Sequence, residues 1–127
     1  MVIFMPKIMP DLILDANRFS RIFKLPGRAG LVLVTMFLKN TPIKLAAMVA
    51  ALKTGELKLV RDTAHVLIAN AGTLGALQIQ RLAERIQIAV EENRQAEVAP
   101  LVSELVAAYE RARPLLEARR SVESRTP

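Results

Sequence analysis

The sequence contains no cysteine and a single histidine among its 127 residues. Without cysteine there is no disulfide framework and no thiolate metal site, and one imidazole cannot build a zinc site that needs several. The absence of disulfides fits a cytoplasmic address. Aromatic residues make up 4% of the chain, which leaves little for the base-stacking platforms of nucleic-acid binders. There is no glycine-rich phosphate loop, no internal repeat and no low-complexity tract. The longest nearly uncharged apolar stretch, Ala29 to Leu38, is about half of the roughly 20 residues that a spanning helix needs, so no membrane crossing is expected. The opening segment, Met1 to Pro10, has two prolines and no small-residue cleavage pattern. It reads as an arm or loose strand and not as a signal peptide.

What is present is a hydrophobic share of 52%, carried by Ala, Leu, Val, Ile and Met. That is the usage of long helices packed side by side. The length suits one domain with a core of its own. Between Arg28 and Lys53 a three-four repeat runs through Leu31, Val34, Leu38, Leu45, Met48 and Leu52. Its phase survives Pro42, which predicts one helix with a kink. After Gly55 a second stripe follows at Leu57, Val60, Ala64, Leu67, Ala71 and Leu74. The third, Ile79, Leu82, Ile86 and Ala89, ends at the polar cluster Glu91 to Gln95. The fourth is Val98, Leu101, Leu105, Ala108, Ala112 and Leu115, with Pro100 in its first turn and Pro114 bending or ending it. Upstream, Leu14, Phe19, Ile22 and Phe23 mark a short helix over one end. The expected fold is therefore all-α, an up-down-up-down four-helix bundle with a short additional N-terminal helix. Its expected division is an N-terminal arm over 1–10, the bundle over 11–120 and a frayed tail over 121–127.

The formal charge of +6 is uneven along the chain: residues 1–73 hold ten Lys/Arg against four Asp/Glu, and residues 74–108 hold three against five. The excess surrounds the histidine, His65. On its helix the core stripe passes through Ala64, so His65 is rotated roughly 100° from it and reaches solvent at the edge of the core. Steps of three and four from His65 give the rest of its face: Lys58, Arg61, Ile68, Ala69 and Gly72. Two cations lie on one side of the imidazole and an apolar or small patch on the other, a surface that another protein can approach closely. Gly72 and Gly75 mark either a close backbone approach or the helix end.

The run Ala64-His65-Val66-Leu67-Ile68-Ala69-Asn70-Ala71-Gly72-Thr73-Leu74-Gly75-Ala76 resembles the signature helix of histidine phosphotransfer (HPt) domains. Phe37 to Pro42 with Leu45 and Met48, the Leu52 to Glu56 turn, Val60-Arg61 and Tyr109-Glu110 resemble the same family in the same order, over roughly residues 14–118. The resemblance implies a phosphorelay intermediary in which His65 accepts and passes on a phosphoryl group. It implies as partners a response-regulator receiver domain, a hybrid sensor histidine kinase, or both. It implies no cofactor on this chain, since the Mg²⁺ belongs to the receiver. Lys58 and Arg61 become candidates to steer an acidic receiver and hold phosphoryl oxygens, with Lys39 and Lys44 at the same rim.

Most members of the family place Lys and Gly third and fourth after the histidine, where this chain has Ile68 and Ala69. The change removes a cation from the face of the phosphoryl group and offers an apolar contact instead, pointing to altered partner choice. Two further readings stand beside the carrier. One is an HPt-like docking module that binds receivers or kinases without relaying phosphate. The other is a basic nucleic-acid-binding protein, suggested by Arg111, Arg113, Arg119, Arg120 and Arg125. The interspersed Glu110, Glu117 and Glu123 and the lack of a recognition-helix motif argue against it. No spacing in the sequence puts a second acid-base group beside His65, which argues against a metabolic enzyme.

Overall fold

The computed structural model describes residues 13–125; the expected arm, Met1 to Pro10, lies outside the described residues. Among those residues there is no strand. A short helix, Ala16–Ile22 (α1), leads through a 3-10 turn at Pro26–Arg28 into four long helices: Ala29–Lys53 (α2), Leu57–Leu74 (α3), Leu77–Glu91 (α4) and Gln95–Ser124 (α5). α3 packs on α2 and α4, and α5 packs on α4 and α2, so the ring of four closes between its first and last members. With connections this short, consecutive helices run antiparallel, as an up-down-up-down bundle requires.

All three connections close with the same hydrogen bond. Glu56 N donates to Ala51 O at 2.9 Å, Ala76 N to Ala71 O at 2.8 Å and Arg94 N to Ala89 O at 2.8 Å. Each is the six-to-one bond of a Schellman motif, which needs a left-handed residue before the donor. Gly55 (φ 73°), Gly75 (φ 76°) and Asn93 (φ 58°) supply it. These residue types take that backbone at the lowest steric cost.

Most positions of the stripes read from the sequence lie in the core, while Leu31, Leu52 and Leu57, near helix ends, are half-buried. Val60, Ala64, Leu67, Ala71 and Leu74 on α3 and Ile79, Leu82, Ile86 and Ala89 on α4 are all buried. Pro42 lies inside α2 and does not end it. Pro114 likewise lies inside α5. The α5 stripe departs from expectation at its end, where Leu116 is fully buried and Leu115 is 36% exposed. A helix turning 3.6 residues per turn drifts against a repeated three-four pattern, and by the last turns the inward position has moved on by one.

The frayed tail over 121–127 is corrected in part: α5 continues to Ser124. Its last turns are tied down on two sides. Arg119 pairs with Glu123 at 2.8 Å, and its guanidinium lies over the Phe23 ring, 4.1 Å from the centroid. Arg28 Nη2 donates to the Glu123 carbonyl at 2.6 Å. Residues 126–127 lie outside the described residues.

α1 covers one end of the bundle, as expected. Asp15 caps it, its Oδ1 accepting from Arg18 N at 3.1 Å, while Asp15 N donates to the Gly75 carbonyl at 2.7 Å. The end of α3 and the start of α1 are therefore one joint. α2, with its flanking 3-10 turn, is long and apolar enough to count as a membrane span by length and composition, its most apolar 18-residue stretch having a mean hydropathy of 1.4. The apolar character thus extends beyond Ala29 to Leu38, across Lys39 and Lys44. In the fold, the Val34, Phe37, Leu38, Leu45 and Met48 stripe of α2 forms one wall of the bundle core.

Candidate functional site

His65 sits in the middle of α3, exposed, one residue after the fully buried Ala64. On the facing helix Gln87 stands in the same relation to the fully buried Ile86. Both side chains therefore leave the core at the α3–α4 seam, and they meet there: His65 Nδ1 is 3.1 Å from Gln87 Oε1. Nε2 makes no hydrogen bond among the described residues. Val66 and Ile88, the next residues along the two helices, are 43% and 44% exposed, so the imidazole emerges beside apolar surface.

The contact extends into a chain of polar groups. Gln87 Nε2 donates to Glu91 Oε2 at 3.2 Å. The same oxygen lies 3.9 Å from Arg61 Nη1. Arg61 also donates to Asp62 Oδ1 from Nη2 at 2.6 Å and from Nε at 3.1 Å. Lys58 Nζ donates to Asp62 Oδ2 at 2.9 Å. Hydrogen bonds from Arg61 and then Lys58 hold the Asp62 carboxyl below its usual range. In return, the hydrogen bond and charge of Asp62 push the Arg61 guanidinium up. Two cations and two carboxylates cancel, so the surface beside His65 carries no formal net charge despite the basic chain.

The face read from the sequence divides in four. Lys58 and Arg61 lie on the expected side of His65 but are engaged by Asp62 and Glu91. Ile68 is partly buried and packs against the core. Ala69 is exposed, its carbonyl accepting from Thr73 Oγ1 at 3.0 Å. Gly72, like Lys58 on the other side, lies two turns from His65, about 10 Å along the helix axis, and is taken up at the end of the bundle. Its carbonyl accepts from Arg18 Nη1 at 3.3 Å, and a Cβ there would meet the Gln80 amide at 3.4 Å. Asn70 lines a groove between α2 and α3 with Asn40 and Thr41, and the helix end is capped by Gly75. Lys39 and Lys44 belong to α2, whereas His65 leans toward α4.

Gln87 and Glu91 are the site residues that sequence spacing missed, because they reach His65 from another helix. One signal was present: Gln87 follows its core stripe by one residue, as His65 follows its own. Among the described residues no group of three or more His, Cys, Asp or Glu could hold a metal ion.

A four-helix bundle that presents one exposed imidazole from the middle of its second long helix has the form of a histidine phosphotransfer domain. The Hpt domain family matches residues 32–114, and the chain belongs to that family, whose members are phosphocarrier modules of two-component signalling and not kinases. The crystal structure of histidine-containing phosphotransfer protein B from Pseudomonas aeruginosa PAO1 is similar, with a TM-score of 0.81 at 18% sequence identity, covering 86% of this chain and 95% of that one. At that identity the likeness is one of fold. No curated protein matches the chain in sequence at a significant level.

Proposed function

We propose that His65 is the phosphoryl acceptor and donor of a phosphorelay, exchanging with an aspartyl phosphate on a receiver domain. The observation that carries this reading is the arrangement of the ring. Nδ1 is engaged by Gln87 within the α3–α4 seam, and Nε2 is left free at an exposed position. A neutral imidazole with its proton on Nδ1 has its nucleophilic lone pair on Nε2. In the forward step Nε2 attacks phosphorus, the N–P bond forms and the acyl-phosphate O–P bond breaks. The electron pair of the broken bond leaves with the receiver's aspartate. The ring then carries a positive charge, which the Gln87 carbonyl opposite Nδ1–H stabilises. The reverse step runs through the same atoms.

The rest of the chemistry falls to the partner. On this reading the receiver supplies Mg²⁺ and the acidic pocket, and this chain needs no cofactor. The exposed Val66, Ile88 and Ala69 make the surface on which the receiver, or a hybrid sensor histidine kinase, would seat. The same reading puts the protein in the cytoplasm, without a nucleic-acid partner. In support, Arg113 is paired to Glu110 and Glu117, both at 3.2 Å, and Arg119 to Glu123, so part of the charge at the arginine-rich end of α5 is engaged within the helix.

The test is phosphoryl transfer from a panel of phosphorylated receivers with Mg²⁺ to the wild type and to His65→Gln. Acid-labile label on the wild type alone is expected. Receiver binding that is equal for both proteins, with no label on either, would replace the carrier with a docking module.

A further inference from the structure

We propose that Glu91 is a positioning residue that decides which nitrogen of His65 carries the proton, acting through Gln87. The argument starts from what each group can do. An ionised carboxylate only accepts hydrogen bonds, whereas an amide has one accepting end and one donating end of almost the same shape. Packing therefore does not choose between the two orientations of the Gln87 amide. Glu91 does, because its Oε2 draws the NH₂ end to itself at 3.2 Å, which turns the carbonyl to the ring at 3.1 Å. A carbonyl only accepts, so Nδ1 must be the protonated nitrogen and Nε2 keeps its lone pair.

Rotated by 180°, the same amide would offer its NH₂ to a bare Nδ1. The proton would then sit on Nε2, which is also the form that the free side chain prefers, and the exposed nitrogen would no longer be a nucleophile. Arg61 and Asp62 serve the arrangement from behind: Arg61 Nη1 stands 3.9 Å from the same Glu91 oxygen while Asp62 holds its other nitrogens. The polar chain from Lys58 to Gln87 is in this account an orienting device for one amide. Arg61 belongs to it as the holder of Glu91, which differs from its expected role as a phosphoryl ligand.

The consequence for reactivity rests on the carrier reading above, but the protonation pattern does not, and the two are tested apart. His65 is the chain's one histidine, so nitrogen-15 NMR of the imidazole reads it without overlap. The measurement is made at mildly alkaline pH, in the neutral form of the ring. The wild type should show a pyrrole-type Nδ1 and a pyridine-type Nε2. Glu91→Ala should shift the tautomer ratio toward Nε2–H by about fivefold, the worth of one net hydrogen bond. Glu91→Gln, which keeps the shape and offers either end, should fall between the two. Glu91 is exposed at the end of α4, so both variants should keep wild-type helicity and melting. Phosphorylation by phosphoramidate, a small donor that needs no docking surface, should slow in step with the tautomer shift. A wild-type ratio in both variants overturns the inference and leaves the carrier reading intact. A wild type that takes no phosphoryl group from phosphoramidate or any receiver overturns the carrier reading, and the tautomer ratio alone then decides the role of Glu91.

Discussion

Gly30 lies directly on the backbone of Ile22: a Cβ built at Gly30 stands 2.3 Å from the Ile22 carbonyl oxygen and 2.9 Å from the Phe23 Cα. α2 thus starts in backbone-to-backbone contact with the end of α1, a join that no flexible side chain can relieve. Gly30→Ala should destabilise the protein by about 1–3 kcal/mol, the usual cost of overpacking. Gly72→Ala is the control, since its Cβ would meet only the end of the Gln80 side chain at 3.4 Å. Its gain in helix propensity is at most about 1 kcal/mol. Urea unfolding should show a lowered midpoint for the first and an unchanged or raised one for the second; equal midpoints would refute the contrast.

Tyr109 is the only tyrosine, buried on α5, and its hydroxyl donates to the Leu38 carbonyl at 3.3 Å. Burial first, and the charge of Glu110 second, push its pKa above the ordinary value of 10.0. The absorbance titration of phenolate should therefore have its midpoint above that of a free tyrosine. Beyond pH 10 the unfolded chain releases this proton before the folded one does. The stability due to the neutral phenol is thus whole below that pH and is lost as pH rises through the folded pKa. Tyr109→Phe should remove this slope from a plot of unfolding midpoint against pH.

Asp62 titrates in the opposite direction. Its carboxyl is held below 3.8 by hydrogen bonds from Arg61 and then Lys58. The stability it contributes is present above that value and is lost as pH falls through the folded pKa. In Arg61→Ala the carboxyl carbon shift of Asp62, followed by NMR, should titrate at higher pH than in the wild type. An unmoved midpoint would show that Lys58 alone holds the carboxylate.

Ile68 occupies the position that would bring a cation to a phosphoryl group on His65, and the cations already nearby are engaged. On the proposed carrier role, phosphohistidine at this position should accordingly be short-lived. Ile68→Lys can lay its stem on the surface that Ile68 covers and extend its ammonium toward the phosphoryl oxygens. The half-life of the phosphorylated form should lengthen about two- to fivefold, the worth of an exposed ion pair. An unchanged half-life, measured by loss of label in the absence of receiver, would contradict this.

The architecture was legible because a helix writes its inward face into the chain at three- and four-residue steps, and Gly55 marked the first turn. The end of α5 was not legible. Arg28, Phe23 and Glu123 meet there across a large sequence separation, and nothing local to residues 121–124 announces that they are held. The same limit divides the site. His65, Lys58 and Arg61 share one helix, and their common face follows from their numbers. Gln87 and Glu91 come from the facing helix, where the rotation about α4 decides the meeting, and Gly72 shares a face with His65 yet is engaged by Arg18 at the end of the bundle. Spacing reports direction around a helix well, and says little about what stands across from it.

The three Schellman turns also bear on how the chain reaches this structure. They join each long helix to the next across a gap of a few residues, so most of the core forms between sequence neighbours and little loop entropy is lost in bringing them together. Among the four long helices, the seam between α2 and α5 is the one that demands contacts from distant parts of the chain, as in the bond from the Tyr109 hydroxyl to the Leu38 carbonyl. Helical bundles of low contact order fold in roughly microseconds to milliseconds. Here the slow coordinate should be closure of that one seam. Substitutions in the three turns would then alter the folding rate, while those at the seam would act mainly on the rate of unfolding.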